Sequence, residues 1–171
     1  MNIRALNRSD AAIFRDLRIE AIQDTPVAFG ESLVEVTLKT LEDFANHLDS
    51  HDRGDFVLGA FDLAETLIGV VGFFRTPYSK LLHKGTIWGM YVRPANRRNN
   101  VGTALLTAAI ERVRNMPGVN RVNLAVSSSN TSARRLYEKL GFRIYGTEPG
   151  SISIDGSCYD EDLMQLALIR Q

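Results

Sequence analysis

The stretch MYVRPANRRNNVGTALLTAAIERV, residues 90–113, limits the fold more than any other part of the chain. Met90, Tyr91 and Val92 read as the end of a strand, and the last dozen residues carry apolar side chains at helical spacing. The turn between them is basic and amide-rich, with Gly102 arriving as the helix begins. A helix N-terminus presents backbone N–H groups without partners and a partial positive charge, so it receives anions readily. Arg97 and Arg98 add full charges, Gly102 leaves room for close approach, and Asn99 or Asn100 can take the left-handed conformation a phosphate-wrapping loop needs. Two readings stand side by side: a pyrophosphate site, or an ordinary strand-to-helix turn solvated by its arginines. The chain has neither the Gly-Lys-Ser/Thr ending of a mononucleotide loop nor the three glycines of a dinucleotide fold. An anion bound here belongs to another kind of cofactor.

The 171 residues, 44% apolar and 23% charged, predict one globular domain spanning residues 1–171. Zero formal net charge argues against non-specific nucleic-acid binding, which draws on a basic excess. No window approaches the ~20 apolar residues of a membrane span, and MNIRALNRSD lacks a signal-peptide core, so a cytoplasmic location with no membrane partner is the expectation. The single Cys158 has no internal disulfide partner, and His47, His51 and His83 show no zinc spacing, so no metal is expected.

NIRAL predicts a short strand, and Ser9-Asp10 offers N-cap chemistry to a helix with an apolar face of Ile13, Phe14, Leu17 and Ala21, stopped by Pro26. After the loop PVAFGES, Thr40 and Asp43 have the form of a capping box for a helix burying Leu41, Phe44, Ala45 and Leu48, which SHDRGD ends. FVLGAFD and TLIGVVGFFR read as an antiparallel pair and TIWGMYV as a third strand. A helix from about Val101 to Arg114 precedes RVNLAV, whose Val122, Leu124 and Val126 alternate onto one face. Strand, helix and strand from Trp88 to Val126 fit a right-handed crossover between parallel strands. A helix from Thr131 to Leu140 stops at Gly141, and FRIYG and SISI lead to a hairpin with Asp155-Gly156 at its tip. The order β-α-α-β-β-β-α-β-α-β-β makes a mixed α/β sheet.

VRPANRRNNVGTALL resembles the acetyl-CoA-binding motif of the GCN5-related N-acetyltransferase (GNAT) superfamily, its pattern falling on Arg97, Asn100 and Gly102, with Asn100 where the family usually has Gly. NLAVSSSNTSARRLYEKLGF, residues 123–142, resembles a second motif of that family, and the two cover roughly the C-terminal half. The resemblance implies a GNAT fold: a largely antiparallel sheet flanked by helices, with a parallel, splayed central strand pair. It also implies acetyl-CoA as co-substrate, its pyrophosphate held by backbone N–H groups of Arg97, Arg98, Asn99, Asn100, Val101, Gly102 and Thr103. The pantetheine arm would pair with Met90, Tyr91 and Val92, while Asn130 and Ala133 line the other side. Family members often dimerise, although no segment of this chain identifies an interface.

Attack by an amine on a thioester needs a neutral amine, a polarised carbonyl and a protonated leaving group. Tyr137 within LYEKLGF is the expected proton donor to the sulfur, because a phenol stays protonated at neutral pH; without the motif it reads as a buried helix aromatic. Glu31, His83, Asp160 and Glu161 are candidate bases with nothing to choose among them. Cys158 has no histidine beside it and reads as a bystander rather than an acyl carrier. Trp88, Tyr91 and Phe29 are candidates for the acceptor pocket, walled by PVAFGES and residues Thr40 to Leu48. The expected activity is acetyl transfer to a primary amine of a small molecule or protein, and a non-catalytic acyl-CoA sensor is the alternative.

Overall fold

The structure, a computed structural model, describes residues 1–49 and 54–168, so most of SHDRGD, His51 included, lies outside the described residues. One seven-stranded mixed sheet runs in the order β1-β2-β3-β4-β5-β7-β6. Its strands are β1 (Asn2–Ala5), β2 (Phe56–Phe61), β3 (Leu67–Arg75), β4 (Lys84–Val92), β5 (Arg121–Ser127), β6 (Arg143–Ile154) and β7 (Ser157–Ala167). Neighbours are antiparallel except β4 and β5. The helices are α1 (Ala11–Asp24), α2 (Leu33–Leu38), α3 (Leu41–Asp49), α4 (Val101–Arg114) and α5 (Thr131–Lys139). On one face α1, α2 and α3 bury Phe14, Leu17, Val36, Phe44 and Leu48 against Val57, Phe61 and Val70. On the other, α4 and α5 cover Leu58, Val71, Phe73 and Ile87 with Leu105, Leu106, Ala109 and Tyr137. With helices on both faces, β2 is buried along its whole length, which explains its unbroken apolar run.

Capping chemistry accounts for where the N-terminal helices begin, and it corrects the sequence in two places. Ser9-Asp10 does not cap α1: the Asn7 side chain accepts from the Ser9 N–H and the Asp10 carboxylate from the Asn7 N–H, both at 2.9 Å, organising a tight turn ahead of the helix. Arg4 clamps Asp10 through two bonds of 2.7 Å. Ile13 is 41% exposed, and the buried face runs through Phe14, Leu17, Arg18, Ala21 and Ile22 instead. PVAFGES is not followed directly by the second long helix. Ser32 and Glu35 form a reciprocal capping box that starts α2, whose Leu33, Val34 and Leu38 are exposed and so give no amphipathic stripe. The Thr40–Asp43 box opens α3 as expected. FRIYG and SISI belong to one strand, β6, with a register shift between Glu148 and Ile152, and Asp155 and Gly156 turn it with φ of 49° and 79°.

Two irregularities open the centre of the sheet. Trp88 packs on the α1 side, Met90 and Val92 on the α4 side, and Tyr91 again on the α1 side. A regular strand would send Trp88 and Tyr91, three residues apart, to opposite faces. The extra residue is absorbed where the β3–β4 register jumps from Gly72↔Trp88 to Val70↔Tyr91, and Gly89 takes a left-handed φ of 62°. Beside it, β4 and β5 pair only from Lys84↔Arg121 to Thr86↔Asn123. Beyond that point β4 continues on β3 and β5 continues on β7 as far as Ser127↔Glu161, so the two strands part.

The seat of Trp88 depends on a glycine opposite, because a Cβ at Gly72 would fall 2.2–2.5 Å from the indole. Gly72→Ala is expected to cost about 1–3 kcal/mol through overpacking. Trp88 is the only tryptophan, so its emission should shift as the ring is displaced. An unchanged spectrum and melting point would show that the ring is not held there.

Candidate active site

The parted strands open into a cavity of about 710 Å³, within the usual range for small-ligand pockets of about 300–1,000 Å³. Its wall is drawn from Thr25 and Val27 to Phe29, from Ile87 to Val92, from the loop and first turn of α4, from Leu124 to Ser127, and from α5 with its approach. Met90, Tyr91, Val92, Arg97, Arg98, Asn100, Val101, Gly102, Thr103, Asn130, Ala133 and Tyr137 all line it. Asn99, exposed, is the one expected cofactor-binding residue that does not.

The loop before α4 has the geometry of an anion receptor, with one change in its cast. Asn100 is left-handed at φ 62°, so an amide residue carries the conformation for which the family ordinarily uses glycine; Arg98 is left-handed too, at 63°. No side chain caps α4 and its first turn holds no acidic residue, which leaves its N–H groups turned toward the cavity mouth. Arg98 is exposed and available to a ligand. Arg97, also exposed and on the cavity wall, is held in place: its Nε donates to the Val92 carbonyl at 2.9 Å, its guanidinium pairs with Asp24 and lies 5.5 Å from the Tyr91 ring. Asp24 therefore shares the charge of Arg97 at the wall. Gly102 also has a packing role, since a Cβ there would sit 3.3 Å from the side chains of both Leu136 and Met90.

Tyr137 lies buried on α5, its ring 6.0 Å from Phe142 at a steep angle, and burial pushes the phenol up to about 12. Asn130 caps α5 by accepting the Ala133 N–H at 3.1 Å, which takes up that N–H and leaves the Asn130 amide nitrogen for other partners. Ser127 and Ser129, their hydroxyls 2.9 Å apart, also line the cavity. The serine run at the end of RVNLAV was the signal for them, since a polar residue closing a buried strand has to face something polar.

None of the candidate bases lines the cavity. Burial raises the carboxyl of Glu31, but hydrogen bonds from Lys39 and Arg18 outweigh it and hold it below its ordinary value. His83 is exposed just ahead of β4, at the end where β4 and β5 still pair. Asp160 accepts from the Gly150 N–H and Glu161 from the Ser151 hydroxyl, so both brace the β6–β7 ladder. Cys158 is exposed on β7, away from the cavity. Trp88, Tyr91 and Phe29 line the cavity as expected, whereas α3 does not; it packs on α1, and its His47 ring lies 5.1 Å from the Trp88 ring at a steep angle. Among the described residues no cluster of His, Cys, Asp and Glu could hold a metal ion, and no helix is long and apolar enough to cross a membrane.

Residues 15–142 match the Acetyltransferase (GNAT) family. The chain belongs to this family. An L-methionine sulfoximine/L-methionine sulfone acetyltransferase of Pseudomonas aeruginosa is 32% identical over 136 residues, 76% of this chain and 77% of that one. An N-alpha-acetyltransferase of Sulfurisphaera tokodaii is 31% identical over 110 residues, and the match spans 58% of this chain and 62% of the relative's length. A Salmonella typhimurium structure containing its cofactor acetyl-CoA superposes with a TM-score of 0.86 at 23% identity, covering 100% of this chain and 95% of that one. The mixed sheet with a single parallel pair, β4 with β5, is the arrangement these GNAT structures share.

Burial raises Tyr91 as well as Tyr137 to about 12, with Asp24 and Glu20 adding to it at Tyr91. Both should ionise well above pH 10 in an ultraviolet titration, and Tyr137→Phe should remove one such late phenol. Because the folded-state values lie above the ordinary value of 10.0, both phenols favour the fold fully below that pH, and their contribution is lost as pH rises toward 12. A titration of the Tyr137→Phe variant indistinguishable from that of the wild type above pH 10 would contradict this burial.

Proposed function

We propose that the chain is an acetyl-CoA-dependent N-acetyltransferase that acts on a primary amine by direct attack in a ternary complex. The uncapped start of α4, opening onto the gap between β4 and β5, carries this reading. A diphosphate suits the N–H groups of Val101, Gly102 and Thr103, with Arg98 adding full charge. An amide-bearing arm suits the edge of β4 from Ile87 to Val92, which β5 has left without ladder partners. Asn130 and Ala133 bound the same space from α5. The amino group carried by the substrates of the Pseudomonas relative belongs to the same acceptor class.

Acetyl-CoA supplies an acetyl thioester: attack by the amine forms the C–N bond, breaks the C–S bond, and requires one proton to leave nitrogen and one to reach sulfur. Tyr137 is the donor to sulfur in this reading. At about 12 its phenol is fully protonated at neutral pH. A thiol ordinarily titrates near ~8.5, so the transfer is uphill in water, but desolvation raises the thiol as it raises the phenol and narrows the difference. Among the described residues no carboxylate or imidazole lines the cavity to receive the amine's proton. The hydroxyls of Ser127 and Ser129 support a relay to water.

Thiol release in the presence of an amine panel tests the activity. Tyr137→Phe should lower kcat by about 100-fold or more, the scale of general acid catalysis, with the KM for acetyl-CoA changed less than about twofold. Wild-type turnover by this variant would remove Tyr137 from the acid role. Saturable acetyl-CoA binding without turnover of any amine would leave a non-catalytic acyl-CoA-binding module.

A further inference from the structure

Arg18 is an unusual residue to find in the middle of α1's buried face. Its side chain is only 8% exposed, and its guanidinium lies 4.8 Å from the Phe29 ring and 5.8 Å from the Trp88 ring, both on the cavity wall. Nη2 reaches Glu31 at 3.2 Å, whereas Nη1 is buried with no hydrogen-bond partner. Glu31 is shared with Lys39, so the Arg18 guanidinium does not have its carboxylate to itself. Burial pulls the guanidinium below its usual value against the opposing pull of Glu31, as expected of a buried cation short of anionic partners.

The orphaned nitrogen lies directly behind the cavity wall. Gly89, the left-handed residue at the bulge of β4, lines the cavity, and a Cβ placed on it would meet nothing within 4 Å except Nη1, at 3.4 Å. Arg18 does not itself line the cavity; Gly89, with no side chain of its own, is the wall residue in front of Nη1. Packing alone would be served by an uncharged side chain, since a buried donor without an acceptor is destabilising. A planar fork that already holds one carboxylate through one arm, with the other arm unpaired, fits a second carboxylate.

We propose that Arg18 recognises the carboxylate of the acceptor, so that the amine acetylated is that of a free amino acid. This rests on the acetyltransferase reading and narrows it to an anionic acceptor held beside Phe29 and Trp88. Glu31 positions the guanidinium and keeps its second arm turned to the incoming ligand.

The test compares L-amino acids with their carboxamides, alongside a polyamine and an Asp-initiated peptide, by thiol release. The amide's amine is the less basic and the more available as free base, so a preference for the acid cannot arise from amine ionisation. The wild type should prefer the acid by about 10- to 100-fold in kcat/KM, the scale of one charge-assisted hydrogen bond. In Arg18→Gln that ratio should fall toward one through the KM of the acceptor, with the midpoint shift given by acetyl-CoA retained. Arg18→Lys, which keeps the charge in a side chain of similar length, should recover part of the preference and covers the case in which the glutamine variant does not fold. Equal use of acid and amide by the wild type, better use of the polyamine or the peptide, or a ratio undiminished in both variants would overturn the proposal and leave the transferase reading intact. Acetyl-CoA binding with no amine turned over would overturn both.

Discussion

Two parallel strands that share three residue pairs and then separate leave backbone groups facing a gap in the middle of a sheet, where a continuous ladder would have satisfied them. The rest of the molecule holds that gap open. On one side β4 is fixed by β3 and re-aimed by the bulge at Gly89; on the other β5 is fixed by β7. The crossover between the strands is α4, so its uncapped N-terminus is delivered to the gap by the same connection that makes β4 and β5 parallel. Covalent continuity puts the anion receptor beside the unpaired strand edge.

The chemistry follows from what the wall can supply. Its N–H groups and Arg98 suit phosphates, its strand edge suits amides, and its buried phenol holds a proton at neutral pH. The acceptor region is built differently, from the segment after α1 and the aromatic rings of Phe29 and Trp88, with a cation behind them. In the proposed reading the sheet and α4 hold the acyl donor, while α1 and the segment behind it meet the acceptor.

Much of this was readable in the residues. Helix α4 has the bounds its apolar spacing implies, and the left-handed residue fell on Asn100, one of the two amides able to take that conformation. What could not be read was pairwise. The loop residues alone do not announce that Arg97 pairs with Asp24, 73 positions away. Ile13 shares the spacing of the apolar face of α1 and still points outward. Ser32-x-x-Glu35 announces α2 in plain capping chemistry, but the exposed apolar residues that follow conceal it. Most of all, Arg18 reads as one more helix cation: its burial, its shared carboxylate and its unpaired nitrogen arise only in the folded chain, where α1 meets Gly89.

The most direct measurement is a thermal melt of the protein with acetyl-CoA and, in parallel, with acetyl-pantetheine, which keeps the thioester and the amide arm but has no pyrophosphate. At about a hundred times its dissociation constant acetyl-CoA should stabilise the fold by ~2.7 kcal/mol, raising the midpoint by roughly 5–10 °C, while the truncated thioester at the same concentration should give little or no rise. Equal shifts from the two compounds, or no shift from either in a cooperatively folded protein, would contradict the assignment of the α4 N-terminus as the seat of the diphosphate.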